Sequence, residues 1–207
     1  QPDAELVLQE FAHGTDAALK LARASYIAGA SGTSNVLAGQ QYGIPLFGTM
    51  AHSFVQAFDT EREAFRAFAK RFPGSILLVD TYDTIEGVRR VIELVRSHGS
   101  AFDVRGIRLD SGDLGALARE ARKLLDAAGL TRCEIFASGN LDDHAIASLV
   151  AQGAPIDGFG VGTRMGVSAD APYLDMAYKL SGYAGRGRIK LSPQKSNLPG
   201  PKQIFRT

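Results

Sequence analysis

The sequence predicts an α/β protein built on parallel strands. Short apolar runs alternate with longer stretches that carry apolar residues at helical spacing. Each apolar run ends in a polar or glycine-rich turn. Alternation of this kind favours parallel strands joined by right-handed crossovers. A closed barrel and a doubly wound open sheet both satisfy the pattern, and both place their sites at the carboxyl ends of the strands. About five strands are readable, fewer than the eight of a closed barrel. Either further strands escape the pattern or the chain carries only part of a barrel.

The elements follow in order. A helix is predicted from about Asp16 to Ile27, before a break at Gly29 to Gly32. Strands are predicted over Gly43–Phe47, Ile76–Val79, Val104–Leu109, Glu134–Ala137 and Gly158–Val161. Thr60 and Glu63 suit a capping box for a helix carrying Ala64, Phe65 and Phe68. Asp83 and Glu86 suit another, for a helix carrying Ile85, Val88, Ile92 and Val95 that Gly99 closes. Leu114, Leu117, Ala121, Leu124 and Ala128 mark a third helix, ended by Gly129. Asn140 is the expected cap of a fourth, with Ala145, Ile146 and Leu149. Beyond Lys179, glycine, proline and basic residues predict an extended, irregular tail. The chain thus divides into an α/β unit over residues 1–180 and a basic segment over 181–207.

Composition narrows the function classes. Lys plus Arg number 23 and Asp plus Glu 22. So even a balance gives no pull toward nucleic acid or an anionic membrane. Any phosphate site must therefore be local. No apolar run approaches the ~20 residues needed to span a bilayer. Cys133 is the single cysteine, which rules out an intrachain disulfide and suits the cytoplasm. The chain opens without a signal peptide and without Met, as a trimmed chain or a fragment would.

The chemistry-bearing residues gather at the strand ends. Arg108-Leu109-Asp110-Ser111-Gly112-Asp113 is the densest group. Paired acids beside Ser and Gly suit a Mg²⁺ ion or ribose hydroxyls, and Arg108 suits a phosphate. The competing reading is a helix cap, and Asp113 fits it. In Asp80-Thr81-Tyr82-Asp83 the cap is Asp83, which leaves Asp80 as the functional candidate. Gly158-Phe159-Gly160-Val161-Gly162-Thr163 and Ser138-Gly139-Asn140 present backbone N–H groups to an anion, or are merely glycine-rich bends. His52 follows a strand end and suits a general base or nucleophile, or a half-buried histidine bonded to the backbone. His13, His98 and His144 show no such setting, and His98 suits a helix C-terminus. No zinc spacing and no nucleophile elbow appear. The basic tail has few aromatics for stacking on bases, and it reads as a solvated segment or as the neighbour of a phosphate site.

Taken together, HGTDAALKLARASYIAG, GTSNVLAGQQYGIP, GTMAHSF, DTYDT, GIRLDSGDL, GFGVGT and KLSPQKSNLPGPKQIFR resemble the nicotinate phosphoribosyltransferase family. The blocks keep the family's order over nearly the whole chain. The resemblance implies an irregular (β/α) barrel of the type II phosphoribosyltransferases. It implies nicotinate, phosphoribosyl pyrophosphate and ATP as partners, Mg²⁺ as cofactor, and nicotinate mononucleotide and pyrophosphate as products, in NAD salvage. It implies ATP coupling through a phosphorylated histidine at His52. Contacts to Mg²⁺, ribose and pyrophosphate would fall on Asp80, Arg108, Asp110 and Asp113, with Ser111 among the substrate-binding residues. Contacts to the 5′-phosphate would fall near Gly139, Gly160, Gly162 and Thr163. A cytoplasmic homodimer is implied, as is a further N-terminal domain that this sequence does not match. Glu10 and Phe11 stand where the family usually has an arginine pair, one member of which is expected to contact the pyridine. Three rival readings are a decarboxylating quinolinate phosphoribosyltransferase, which lacks the GTMAHSF block, a non-catalytic fragment that binds phosphorylated ligands or a partner chain, and an unrelated α/β-barrel phosphate enzyme.

Overall fold

A computed structural model describes residues 5–8 (backbone only), 14–167, 179–192, 196–203 and 205. Glu10, Phe11, His13, Pro193, Lys195 and Arg206 lie outside these residues. The first strand, β1 (Glu5–Leu8), leads to α1 (Thr15–Ile27), β2 (Gly32–Thr33), α2 (Val36–Tyr42), α3 (His52–Ala57) and α4 (Glu61–Arg71). Next come β3 (Ser75–Leu78), α5 (Thr84–His98) and a single 3₁₀ turn at Gly99–Ala101. The chain continues through β4 (Val104–Leu109), α6 (Leu114–Ala127), β5 (Glu134–Ala137), α7 (Asp143–Ala151), β6 (Gly158–Val161) and α8 (Thr163–Gly166). A hairpin, β7 (Gly182–Tyr183) and β8 (Arg186–Gly187), closes the list of elements.

The first six strands form one parallel sheet in the order β2-β1-β6-β5-β4-β3. β1 pairs with β2, β3 to β6 pair in succession, and β6 returns to pair with β1, as in a barrel. Among the described residues one step is missing, for no ladder joins β2 to β3. The long excursion through α2, α3 and α4 occupies that step.

Several expectations meet corrections here. Gly43–Phe47 is not a strand. Gly43 ends α2 in the left-handed conformation (φ 67°). Leu46 then makes only an isolated bridge to Thr33. Pro45 has no N–H to extend a ladder, which explains why pairing stops at one bridge. Gly32–Thr33, expected within a break, is instead an edge strand. Asn140 does not cap α7. It adopts φ 58°, whereas an N-cap needs extended backbone, and Asp142 caps the helix from φ −126°. Of the two expected capping boxes, Thr60 and Glu63 form theirs completely. Asp83 accepts from Glu86 N at 2.8 Å, but the Glu86 carboxylate bonds Arg89 instead. The tail is not wholly irregular, since β7 and β8 turn through Ala184 and Gly185, both at positive φ.

The core explains the continuous apolar runs. Leu77, Leu78, Ile107, Leu109 and Ile135 are fully buried on the two faces of the sheet. Val88, Val91 and Leu94 of α5 and Ala118, Ala121 and Leu125 of α6 pack on it. Strands covered on both faces lose the polar alternation of half-exposed ones. Burying each Leu or Ile contributes roughly 1.5–3 kcal/mol. At the amino end of β4 a bulge interrupts the register with β3, between Ser75 and Ile76.

One buried acid makes stability pH-dependent. Glu61, at the start of α4, is 3% exposed and pairs with Arg90 of α5. Burial raises its pKa to about 7 against the opposing pull of Arg90. The folded chain therefore keeps a proton that the unfolded chain releases near pH 4.5. That stabilisation is full below pH 4.5 and is lost as pH rises through about 7. Between pH 6 and 8 the loss is expected to be on the order of 1 kcal/mol. Urea unfolding at both pH values should show this fall in the parent minus Glu61→Gln difference. An unchanged difference would refute the assignment.

Candidate active site

Parallel strands bring their carboxyl ends to one edge of the sheet. Leu78 pairs with Arg108, and Leu109 with Ala137. Two residues beyond Leu78 and Arg108, the chain reaches Asp80 and Asp110 side by side. Asp80 is fully buried. Its Oδ2 accepts from Asp110 N at 3.0 Å and from the Ser111 hydroxyl at 2.7 Å. Among the described residues its Oδ1 has no hydrogen-bond partner. The Ser138 hydroxyl, at the end of β5, donates to Asp110 Oδ1 at 2.7 Å.

His52 opens α3 and reaches over this edge. Its Nδ1 lies 3.0 Å from Thr81 Oγ1, and its Nε2 lies 3.4 Å from Asp110 Oδ2 and 3.9 Å from Asp80 Oδ1. It is thus bonded to side chains at two strand ends rather than to the backbone. Burial lowers its pKa, against the opposing pull of Asp110 and Asp80, and Lys190 lowers it further. A neutral imidazole keeps a lone pair for a metal or an electrophile. Among the described residues, His52, Asp80 and Asp110 are the one group whose ligand atoms lie close enough to hold a cation.

Arg108 alternates with Ile107 and Leu109 along β4, so it projects away from their side. Its guanidinium donates to Thr49 Oγ1 from Nη1, while Nε is buried without a partner among the described residues. Burial pushes its pKa down, against the pull of Asp110 and Asp80. Beside it lies a cavity of about 150 Å³, lined among others by Phe47, Thr49, Phe136 and Gly160. Arg108 brings a cation to the lining of this space.

The other sequence candidates are more scattered. Asp113 is the N-cap of α6, accepting from Ala116 N at 2.9 Å, and it stands apart from the three-residue cluster. Gly139 (φ 96°) and Asn140 turn the chain after β5, and Asn140 Oδ1 accepts from Arg164 at 3.1 Å. Gly162 and Thr163 follow β6, where α8 has only four residues. His98 ends α5 and His144 lies in the first turn of α7. Cys133 is buried, and burial raises its thiol to about 11, which leaves it protonated and inert. Thr49, Thr81 and Ser138 were not singled out by sequence reasoning, although each adjoins or belongs to a block that was. No helix among the described residues is long and apolar enough to cross a membrane.

Residues 15–184 match the model of the Nicotinate phosphoribosyltransferase (NAPRTase) family. The chain belongs to that family. Its relatives include nicotinate phosphoribosyltransferase pncB2 of Mycobacterium tuberculosis, 63% identical over 195 residues. That alignment covers 94% of this chain but 42% of the relative, so the chain spans less than half the length of this curated relative. Human nicotinic acid phosphoribosyltransferase superposes with a TM-score of 0.71 at 29% identity, over 77% of this chain and 44% of that one. The nicotinate phosphoribosyltransferase of Porphyromonas gingivalis gives 0.78 at 21% identity, over 94% and 56%. This last likeness speaks to fold alone. The α/β architecture expected for a type II phosphoribosyltransferase is thus present, with the sheet left open between β2 and β3 among the described residues.

Proposed function

We propose that this chain carries the site at which nicotinate displaces pyrophosphate from phosphoribosyl pyrophosphate, giving nicotinate mononucleotide. The observation that carries the reading is the meeting of Asp80, Asp110 and His52 beside the Arg108 cavity. In the reaction the pyridine nitrogen bonds to C1 of the ribose as the C1–O bond to pyrophosphate breaks. Positive charge grows on the sugar, and negative charge on the leaving group.

The cavity suits the aromatic acid. Phe47 and Phe136 offer apolar walls, and Arg108 has an unpaired N–H for the carboxylate. Arginine meets a carboxylate through parallel N–H bonds, a geometry lysine lacks. On this reading Arg108 serves the pyridine acid rather than pyrophosphate, and it supplies a cation that Glu10 and Phe11 do not.

Mg²⁺ fits the carboxylates. The Asp80 Oδ1 that lacks a bond partner is a buried oxygen such an ion would satisfy, and Asp110 stands beside it. Magnesium favours oxygen ligands and takes one or two carboxylates together with substrate phosphates, and when bound it would offset the charge of the leaving pyrophosphate. The imidazole of His52 then remains for the phosphoryl group of ATP. Its neutral Nε2 accepts phosphorus as the bond to ADP breaks, and Thr81 holds the ring through Nδ1. Ser111 and Ser138 keep the two carboxylates oriented. Gly139, Gly160, Gly162 and Thr163 remain the candidates for the 5′-phosphate. A cytoplasmic homodimer working in NAD salvage completes the reading.

The test incubates the protein with labelled nicotinate, phosphoribosyl pyrophosphate, Mg²⁺ and ATP. Labelled nicotinate mononucleotide is expected, with His52→Ala losing ATP stimulation and at least roughly tenfold in rate. Carbon dioxide released from quinolinate would favour the decarboxylating rival. A folded protein that forms neither product would overturn the catalytic reading.

A further inference from the structure

Two arginines of the basic tail take no part in the site described above. Arg186 and Arg188 instead pin the β7–β8 hairpin to the turn between α3 and α4. Arg186 Nη1 donates to Asp59 Oδ1 at 3.1 Å, and Arg188 Nη1 donates to Phe58 O at 3.0 Å and reaches Asp59 Oδ1 at 3.4 Å. Arg188 also lies over the Tyr183 ring, 5.9 Å from its centroid. The hairpin so held stands across from one face of α4, where Glu63, Arg66, Ala67 and Lys70 recur at three- and four-residue spacing. Between hairpin and helix runs a groove of about 870 Å³.

Charge in this groove is unbalanced. Four cations, Arg66, Lys70, Arg186 and Arg188, meet two acids, Asp59 and Glu63. Both acids are engaged. Asp59 is shared by the two arginines of the hairpin, and Glu63 accepts from Thr60 N at 3.2 Å in its capping box. Arg66 and Lys70 are exposed and have no ion pair among the described residues. Arg188 Nε is buried without a partner among them. Tyr183 adds an aromatic ring that is 52% exposed.

We propose that this groove is a second ligand site, which takes a nucleoside phosphate with its base against Tyr183 and its phosphates on Arg66, Lys70 and Arg186. Lysine and arginine hold phosphate oxygens through charge-assisted hydrogen bonds. An aromatic ring accepts the π-face of any base. The groove is as large as small-molecule sites of roughly 300–1,000 Å³. It stands apart from the reaction centre and does not depend on the phosphoribosyl-transfer reading. The six-residue α3 joins the two, opening with His52 and ending at Ala57 on the rim of the groove.

The test titrates the longest polypeptide of the reading frame by calorimetry with the β,γ-imido analogue of ATP, which cannot pass its terminal phosphoryl group to His52. Arg66→Gln with Lys70→Gln removes both unpaired charges at exposed helical positions, and glutamine is nearly as good a helix former as either. The double variant is expected to weaken binding roughly 10- to 100-fold, with an unfolding midpoint like the parent's. Tyr183→Ala is expected to weaken it roughly fivefold or more. Inorganic tripolyphosphate is the second probe, and its binding should follow the two cations but not Tyr183. Affinity for the analogue within about twofold of the parent's in the double variant overturns the proposal. So does binding that His52→Ala alone abolishes, which would place the nucleotide at the reaction centre and leave the phosphoribosyl-transfer reading intact. Tripolyphosphate bound as tightly as the analogue would overturn the role given to the base. Should the double variant fail to fold, a parent-like affinity in Tyr183→Ala overturns the proposal in its place, as does a parent that binds neither probe.

Discussion

Asp110→Asn is expected to lower kcat/KM for nicotinate mononucleotide formation by about 10³-fold, on the order of 4 kcal/mol of transition-state stabilisation. The change keeps the shape of the side chain and removes its charge. That charge faces His52 Nε2 at 3.4 Å and shares the candidate cation site with Asp80. The amide also brings an N–H into a place where the Ser138 hydroxyl already donates. The comparison that gives the result meaning is Asp113→Asn. Asp113 caps α6 from an exposed position, and asparagine caps a helix about as well as aspartate. Its activity should stay within a few-fold of the parent. Equal losses in the two variants would show that both acids serve the reaction. A loss under tenfold for Asp110→Asn would remove that residue from the chemistry.

The largest expected effect on stability comes from a glycine. Gly87 lies in the first turn of α5, against β3 and the residue that follows it. A Cβ at this position would stand 2.9 Å from Val79 Cβ and closer still to the Val79 carbonyl oxygen. Neither atom belongs to the far end of a flexible side chain, so the helix itself must move. Gly87→Ala is expected to cost about 3 kcal/mol in overpacking, offset by about 1 kcal/mol of better helix propensity. Gly115 of α6 provides the contrast, since its added Cβ would meet Leu149 Cδ2 at 3.3 Å and nothing closer. Gly115→Ala should therefore be near neutral. Urea midpoints for the two variants decide the matter, and a Gly87→Ala midpoint equal to the parent's would sink the idea. Because Val79 precedes Asp80, the same displacement should also weaken the site.

The strand ends that carry Asp80 and Asp110 are legible in the sequence because fully buried strands read as unbroken apolar runs. Each run stops at a charged residue where the sheet ends. Helix caps at Thr60, Asp83 and Asp113 are legible for a similar reason, since a cap is a local event. Gly32–Thr33 gives too few residues for any pattern to show, so that strand escapes detection, and Glu5–Leu8 goes unread although it is as long as β3, β5 and β6. The apolar Gly43–Phe47 misleads because burial of Ile44 resembles strand burial, while Pro45 prevents the ladder. Lys190 looks like one more solvated cation in a basic tail. Its burial depends on Asn197 and on bonds to Asp80 and Thr81, and no local pattern announces contacts so distant. His52 lies between these cases. Its block draws notice, but its pairing with Thr81 and Asp110 emerges only from the fold.

The bulge between β3 and β4 acts as a counting device for the reaction centre. Ser75 pairs with Val104, but Ile76 pairs with Gly106, so Arg105 is skipped. If Arg105 were paired instead of skipped, Leu78 would face Ile107, and Asp80 would come level with Leu109 instead of Asp110. The extra residue lies roughly 17 Å along the strand from Asp110. A change that drew Arg105 into the ladder opposite Ile76 would leave every functional side chain present and put the two carboxylates out of step by one residue. Spelling errors at the quiet end of the sheet, where no chemistry occurs, can thus silence the end where it does.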